Sequence, residues 1–421
     1  MRHRRASPRR GVVPLVALAL VCGLGGCGGV GAAGKTAPAA PAGGRVGPHP
    51  PTSAKATPIT HPPRPSAPPV NQMPPPTGLY WATTTTGYLS AQETLYRTTD
   101  GGTTWTAWYH GSQPITTVAG SGATSLWLAA GPSLRDLGAT GHVIRIVALP
   151  GAGSVEQLAL PSPGIAYLRR GGHLYAGDVT TESWRNVSGA LGSVTAMVWL
   201  SPRDGYAAVG PTVWRTVSGG QSWTRVFSAP VVGPDWTSQL VANAMNSVWF
   251  VVSGGVDGMS QVGFVLWHGT DEGTQWAAIT DEPYWAPTGY PSVRPVISST
   301  LMLQPGPLAA VGASTVYFAG WNANRSSRWV IFTNSSGTWR QYTIPITATT
   351  PQFFVQRPNG SFLARTRLSL ATRQTGFLLG ESAHGNGALL ETTDGGSAWR
   401  AAEWPADPYR QDPGTAHAPK A

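Results

Sequence analysis

Short runs of apolar and aromatic residues recur along the chain and are separated by segments rich in glycine, serine and threonine. No stretch keeps a helical period over a useful length, whereas apolar runs of about four to eight residues bounded by turn-forming residues are typical of strands. The pattern therefore predicts an all-β chain. Seven runs of this kind lie beside a glycine or another small residue, at positions 78–82, 125–131, 164–168, 205–210, 247–252, 315–320 and 375–380.

An octapeptide follows most of these strands at a distance of about sixteen to twenty residues. The sequence TTDGGTTW at 98–105 returns as TTDGGSAW at 392–399, and more divergent copies end at Trp184, Trp223, Trp276 and Trp339. No copy is recognisable near residues 141–145, where we expect a hairpin that has lost the motif. A unit repeated along the chain indicates an architecture built from repeated supersecondary elements.

The octapeptide has the composition of a tight hairpin. We expect its aspartate to accept hydrogen bonds from backbone N–H groups across the turn, and its glycines to supply positive φ angles. The tryptophan then begins the next strand and buries a large ring between neighbouring sheets. Metal binding is not expected, because the alternating carboxylates of a calcium loop are absent. The residues to which this structural role is assigned are Asp100, Gly102, Trp105, Trp184, Gly220, Trp223, Asp271, Gly273, Trp276, Trp339, Asp394, Gly396 and Trp399.

These motifs resemble the Asp-box, or BNR repeat, of sialidases, sortilin-type receptors and photosystem II assembly-factor-like propellers. The resemblance implies that each motif lies on the outer hairpin of a propeller blade. The apolar strands follow one another at steps of 39 to 68 residues, and a blade of four strands needs about 40–50 residues. We therefore predict a seven-bladed β-propeller over residues 78–404, with six or eight blades as the alternatives.

The first 26 residues have the features of a cleaved export signal. Five arginines precede an apolar stretch from Val12 to Leu24, and the sequence LGGC at 24–27 resembles the lipobox of bacterial lipoproteins. The resemblance implies cleavage before Cys27 and lipidation of its thiol; the alternative is an ordinary secretory signal. Two acyl chains anchor a protein stably, so we expect the cell membrane, on its extracytoplasmic face, as the location.

Residues 27–77 and 405–421 do not have the composition of a folded core. Both segments are rich in proline and small residues, so we expect a disordered, Pro-rich linker and a disordered tail. Cysteine occurs only at positions 22 and 27, which leaves the mature chain without a disulfide. Removing the five arginines of the export signal lowers the formal net charge from +10 to about +5. No basic cluster with interleaved aromatic residues is present, so nucleic acid is not an expected partner.

Catalysis is not expected from the sequence. The resemblance to sialidases would require an Arg-Ile-Pro motif near the first blade, which is absent. Glycoside hydrolysis requires two carboxylates about 5–10 Å apart across a cleft, and Asp281-Glu282 is the one dense acidic pair outside the octapeptides. The histidines are not at metal-ligand spacing, so neither a metal nor another cofactor is predicted.

The candidate partner-binding segment begins at this acidic pair and lies inside the longest step between strands. Its residues are Asp281, Glu282, Tyr284, Trp285 and Tyr290. Aromatic residues beside prolines and acids suit a protein or sugar partner; the alternative is a loop folded over a blade edge. The resemblance to photosystem II assembly-factor-like propellers implies a membrane-protein partner. We therefore expect a monomeric, membrane-anchored, non-catalytic scaffold or assembly factor, and the alternative is a carbohydrate-binding or glycoside-hydrolysing propeller that acts on polysaccharide.

Overall fold

The fold is described by a computed structural model of the chain. All the residues that it describes belong to one compact unit within residues 67–421. The predicted export signal, Cys27, most of the linker and the tail lie outside the described residues. The described residues are 74–122, 125–230, 237–244, 246–257, 261–281, 297–298, 304–312, 314–322, 328–335, 338–345, 351, 355–356, 362–363, 366–382 and 386–402.

Seven four-stranded sheets, numbered here as blades 1 to 7, account for most of the described residues. Blade 1 contains β1 (Pro76–Trp81), β2 (Gly87–Ala91), β3 (Thr94–Thr98) and β4 (Thr106–His110). Blade 2 contains β5 (Ile115–Gly120), β6 (Leu126–Ala130), β7 (Ser133–Leu137) and β8 (Val143–Ala148). Blade 3 contains β9 (Val155–Ser162), β10 (Ile165–Arg170), β11 (His173–Asp178) and β12 (Ser183–Asn186).

The remaining blades follow in the same order. Blade 4 contains β13 (Ala196–Trp199), β14 (Gly205–Val209), β15 (Thr212–Thr216) and β16 (Thr224–Ser228), and a short 3-10 helix, Gly189–Leu191, precedes it. Blade 5 contains β17 (Thr237–Ala244), β18 (Ser247–Asp257), β19 (Gln261–Thr270) and β20 (Gln275–Ala278), with a 3-10 turn at Asp271–Gly273. Blade 6 contains β23 (Gln304–Val311), β24 (Thr315–Asn322), β25 (Arg328–Ser335) and β26 (Thr338–Pro345). Blade 7 contains β29 (Arg367–Leu370), β30 (Gly376–Glu381), β31 (Gly387–Thr392) and β32 (Arg400–Ala401).

Each blade is an antiparallel meander whose strands pair in chain order. The first strand of each blade lies innermost and the fourth lies outermost, so the molecule is the seven-bladed β-propeller that the sequence predicts. Two further pairs explain the two longest steps in the repeat: β21 (Thr280–Asp281) pairs with β22 (Ile297–Ser298), and β27 (Val355–Gln356) pairs with β28 (Phe362–Leu363). Both pairs lie between the last strand of one blade and the first strand of the next.

One predicted strand has a different position from its counterparts. Six of the seven apolar runs form the second strand of a blade, but the run at 78–82 overlaps β1, the first strand of blade 1. The second strand there is β2, which places Tyr88, and not Tyr80, in register with Tyr206 and Phe377. The error arose because β2 has the weakly apolar sequence GYLSA, whereas β1 ends in the aromatic residues Tyr80 and Trp81.

A hydrophobic cluster fills each of the seven boundaries between consecutive blades among the described residues. Closure of the ring depends on the cluster between blades 7 and 1. In that cluster Phe377 of blade 7 lies 5.2 Å from Trp81 and 6.4 Å from Trp105 of blade 1, measured between ring centroids. No described strand crosses between these two blades, so the ring is closed by side-chain packing.

Candidate functional site

The octapeptide hairpins connect the third and fourth strands of their blades, where side-chain hydrogen bonds hold the turn. In blade 1 the Thr98 hydroxyl accepts a hydrogen bond from the Gly102 N–H at 2.9 Å and donates to Asp100 Oδ1 at 2.8 Å. Asp100 also accepts hydrogen bonds from the N–H and the hydroxyl of Thr104, at 2.9 and 2.6 Å. Gly101 and Gly102 have φ angles of +78° and +98°, which explains the choice of glycine at both positions.

The same turn recurs in blades 4 and 7. In blade 7, Gly396 donates to Thr392 and Ala398 donates to Asp394, at 2.9 and 3.0 Å. In blade 4, Ser218 replaces the aspartate and its hydroxyl accepts the Ser222 N–H at 2.9 Å. The turn therefore requires an oxygen acceptor at this position and does not require a charge.

Hydrogen bonding also determines how the two aspartates titrate. Burial opposes ionisation of Asp100, but hydrogen bonds from Thr104 and Thr98 outweigh it and lower its pKa. The Ser397 side chain and the Ala398 amide lower the pKa of Asp394. Groups with these properties are held as acceptors and are poorly suited to proton transfer near neutral pH.

The other hairpins depart from this pattern. In blade 5, Asp271 and Glu272 have positive φ angles, and Asp271 accepts a hydrogen bond from the Thr274 hydroxyl at 2.8 Å. In blade 3, Asp178, which the sequence analysis did not select, accepts the Thr180 N–H at 2.8 Å. In blade 2 the loop between β7 and β8 has no such motif, as the sequence predicts, and Gly141 lies against Trp108 of blade 1.

Each motif tryptophan packs against the blade that precedes its own. Trp105 is buried against Phe377, and Trp399 packs in the cluster between blades 6 and 7. Trp223 donates its indole N–H to the Val187 carbonyl of blade 3 at 2.8 Å. Trp184, Trp276 and Trp339 belong in the same way to the boundaries between blades 2 and 3, 4 and 5, and 5 and 6.

The second glycine of a turn also contacts the preceding blade. A Cβ atom at Gly102 would lie 2.3 Å from Phe377 Cζ, and one at Gly220 would lie 2.9 Å from Val187 Cβ. A Cβ atom at Gly273 would lie 3.2 Å from Tyr206 Cε1, and one at Gly396 would lie 3.4 Å from Tyr317 Cε2. These positions therefore hold the blades together as well as forming the turns.

The candidate partner-binding segment lies almost wholly outside the described residues. Only Asp281 is included, and its backbone pairs with Ser298 in the short parallel pair β21–β22. Glu282, Tyr284, Trp285 and Tyr290, like Cys27, lie outside the described part of the chain. Their roles remain predictions from the sequence.

A central cavity of about 560 Å³, which the sequence analysis did not identify, is lined by residues from six blades. Polar side chains join neighbouring blades along its wall. Gln157 accepts a hydrogen bond from the Met197 N–H at 3.0 Å, and Gln239 donates to the Gly306 carbonyl at 2.9 Å. Arg169 forms an ion pair with Glu156 and donates to Gln157 at 3.0 Å. Burial lowers the pKa of Arg169, and the charge of Glu156 opposes that effect.

The outermost strand of blade 2 carries exposed aliphatic residues. Ile144 and Ile146 of β8 are 66% and 58% exposed. The strand ends its sheet, so its outer edge has no strand partner among the described residues. Because this blade has lost the octapeptide, no motif tryptophan covers the hairpin.

The described residues contain neither a candidate membrane-spanning helix nor a candidate metal-binding group. No helix there is long and apolar enough to cross a membrane. No group of three His, Cys, Asp or Glu side chains in the same residues is arranged to hold a metal ion.

Comparison with known proteins gives similarity of fold alone. No protein-family model and no curated protein matches the chain. One similar solved structure is YCF48 bound to a D1 peptide, with 15% identity, coverage of 76% of this chain and 94% of that chain, and a TM-score of 0.48. Another is virginiamycin B lyase from Staphylococcus aureus, with 12% identity, coverage of 76% and 96%, and a TM-score of 0.48. A chain of the mitotic checkpoint complex matches at 12% identity, with coverage of 80% and 98% and a TM-score of 0.49.

Proposed function

We propose that this protein is a non-catalytic scaffold that binds a protein partner, and that it is held by a lipid at Cys27 on the extracytoplasmic face of the cell membrane. The observation that carries the proposal is the exposed apolar edge of β8. An unpaired strand edge can accept another chain by strand addition.

Strand addition at β8 would use both the backbone and the two isoleucines. The unpaired N–H and C=O groups of the edge would pair with a strand of the partner, and Ile144 and Ile146 would contact apolar side chains on it. Arg145 gives the strand a positive charge, so two copies of β8 would bring like charges together. This arrangement favours a different protein over a second copy of the chain.

The membrane part of the proposal rests on the sequence. The LGGC sequence at 24–27 follows an arginine-rich and apolar stretch of the right length for a lipoprotein signal. Resemblance of the octapeptides to the Asp-box of assembly-factor-like propellers supports a scaffold role. The linker of residues 27–77, if extended, would let the propeller reach a partner on the order of 100 Å from the membrane.

The proposal is tested by immobilising the full chain in detergent and passing solubilised membranes and cell-wall polysaccharide over it. We expect stoichiometric retention of one membrane protein. The double substitution Ile144→Lys and Ile146→Lys should abolish retention, because it places two charges on the edge. The control is Val217→Lys, since Val217 is an aliphatic residue of blade 4 that is 52% exposed.

The purified partner must then bind the purified chain directly, with the same dependence on the two isoleucines. Loss of binding on changing both Tyr284 and Trp285 to alanine would instead assign the contact to the segment after Asp281. Retention of polysaccharide alone, or of a protein equally by all variants, would refute binding through β8.

Carbohydrate binding is the second candidate, and one observation favours it. A cleft of about 550 Å³ at the boundary of blades 3 and 4 is lined by Trp214 and Trp223 together with Arg185, Asn186 and Gln221. Aromatic faces combined with a few polar groups are suited to small polar ligands such as sugars. Retention of polysaccharide that is lost on Trp214→Ala would support this function.

A further inference from the structure

The wall of the central cavity has one cationic side chain without a hydrogen-bond partner among the described residues. Arg169 is paired with Glu156, whereas Arg367, at the start of β29, has no hydrogen-bond or ion-pair partner among the described residues. Two arginines and one glutamate line the cavity, so its described wall carries a net positive charge. A guanidinium presents five N–H donors in a planar fork that matches carboxylate and phosphate.

A second group beside Arg367 is also unsatisfied. Thr366 lines the same cavity, and its Oγ1 is buried without a hydrogen-bond partner among the described residues. Buried polar groups in folded proteins nearly always have a partner, and an exception calls for a missing ligand or water. Ser369 lies two residues from Arg367 on the same strand and lines the cavity as well.

Elsewhere polar side chains of the cavity wall form hydrogen bonds to the neighbouring blade. Gln157, Gln239 and the Thr195–Ser238 pair join blades 3 to 6 in this way. Blade 7 contributes Thr366 and Arg367 at the corresponding place, without such a contact among the described residues. Within the described wall of this cavity, the buried side-chain hydroxyl without a partner therefore lies in blade 7.

We propose that the central cavity binds a small organic anion whose carboxylate or phosphate group accepts hydrogen bonds from Arg367 and Thr366. A volume of about 560 Å³ accommodates a ligand of metabolite size. The protein environment strengthens the contact: burial lowers the pKa of Arg367, although its side chain still touches the water of the cavity. Arginine nevertheless stays protonated in proteins, so its guanidinium remains available to an anion in the cavity. This site is separate from the β8 edge and does not depend on the scaffold proposal.

The test is isothermal titration calorimetry on the full chain in detergent. Citrate and glycerol 3-phosphate are the two anionic probes, and glycerol is the neutral control. We expect one molecule of one anion to bind per chain, and the choice between the two distinguishes a carboxylate from a phosphate ligand. Binding should weaken at least about tenfold in Arg367→Gln, as expected for loss of a charge-assisted hydrogen bond. Arg225→Gln, an exposed arginine of blade 4, should leave affinity unchanged.

A second variant changes affinity in the opposite direction. Glu156→Gln removes the partner of Arg169 and adds a positive charge to the cavity, so it should tighten anion binding several-fold while keeping the side-chain shape. This variant keeps the test decisive if Arg367→Gln fails to fold, which a thermal melt would reveal. The proposal would be overturned if neither anion binds at about 10 mM, which is weaker than millimolar affinity. It would also be overturned by equal affinity in the wild type, Arg367→Gln and Glu156→Gln.

Discussion

Two side chains accept the backbone hydrogen bonds that hold each complete octapeptide turn. The first threonine accepts the N–H of the second glycine, as Thr98, Thr216 and Thr392 all do at 2.9 to 3.0 Å. The aspartate or serine two residues later accepts an N–H four residues beyond itself. The sequence analysis selected the aspartate and left out this threonine, because a hydroxyl common in every turn gives no distinctive pattern.

A prediction for single residues concerns the second glycine of the octapeptide turn. Gly102→Ala should lower the free energy of unfolding by about 3 kcal/mol or more. Alanine is strained at a positive φ, and its Cβ would overpack the contact with the neighbouring blade. The clash arises because the new Cβ would lie 2.3 Å from Phe377 Cζ. Gly122→Ala isolates the backbone effect, since Gly122 has a φ of +70° with nothing within 4 Å of its Cβ position. It should cost only about 1–2 kcal/mol.

Urea unfolding of both variants measures the difference. A cost for Gly102→Ala no greater than that for Gly122→Ala would show that contact with the neighbouring blade is unimportant. In that case the glycine would be required for turn geometry alone.

At the scale of elements, the sequence predicts what is local and repeated. The hairpin motif and the apolar strand of one blade lie within about twenty residues of one another, so the blade order and the number of blades follow from them. Glu156 and Arg169 lie on paired strands of blade 3, but Arg367 of blade 7 is brought to the same cavity only by closure of the ring. This proximity has no local sequence pattern, and the same holds for the exposure of β8.

A further prediction concerns β8, in which five of the six residues are exposed and Val147 is buried. The pair Ile144→Lys and Ile146→Lys should change the free energy of unfolding by less than about 1 kcal/mol, since exposed substitutions are usually near neutral. Val147→Ala on the same strand should cost about 1–3 kcal/mol, because Val147 is fully buried between blades 2 and 3. Thermal melts of the three proteins check this, and a large loss in the lysine variant would mean that the isoleucines serve stability.

The described propeller is a ring whose first and last blades meet without sharing a described strand. Each blade contacts chiefly its two neighbours, so the stability of the ring is distributed over many blade–blade interfaces of similar size. Tyr167 and Tyr317 add hydrogen bonds to the Pro202 and Arg373 carbonyls of the next blade, at 2.7 and 2.9 Å. The boundary between blades 7 and 1 differs from the others only in joining residues about 300 positions apart in the chain, where the entropic cost of closure is greatest.

Phe377→Ala should therefore open the ring at the boundary between blades 7 and 1. Removing this fully buried ring from between Trp81 and Trp105 should cost about 3–5 kcal/mol, and hydrogen exchange should accelerate in blades 1 and 7 more than elsewhere. The matched variant is Phe318→Ala, a fully buried phenylalanine at the boundary of blades 5 and 6. That variant should lose similar stability and leave the protection of blade 1 unchanged, because its boundary joins blades that are adjacent in sequence. Equal loss of protection around the whole ring in both variants would mean that the propeller opens as one unit and that packing at the closure has no special role.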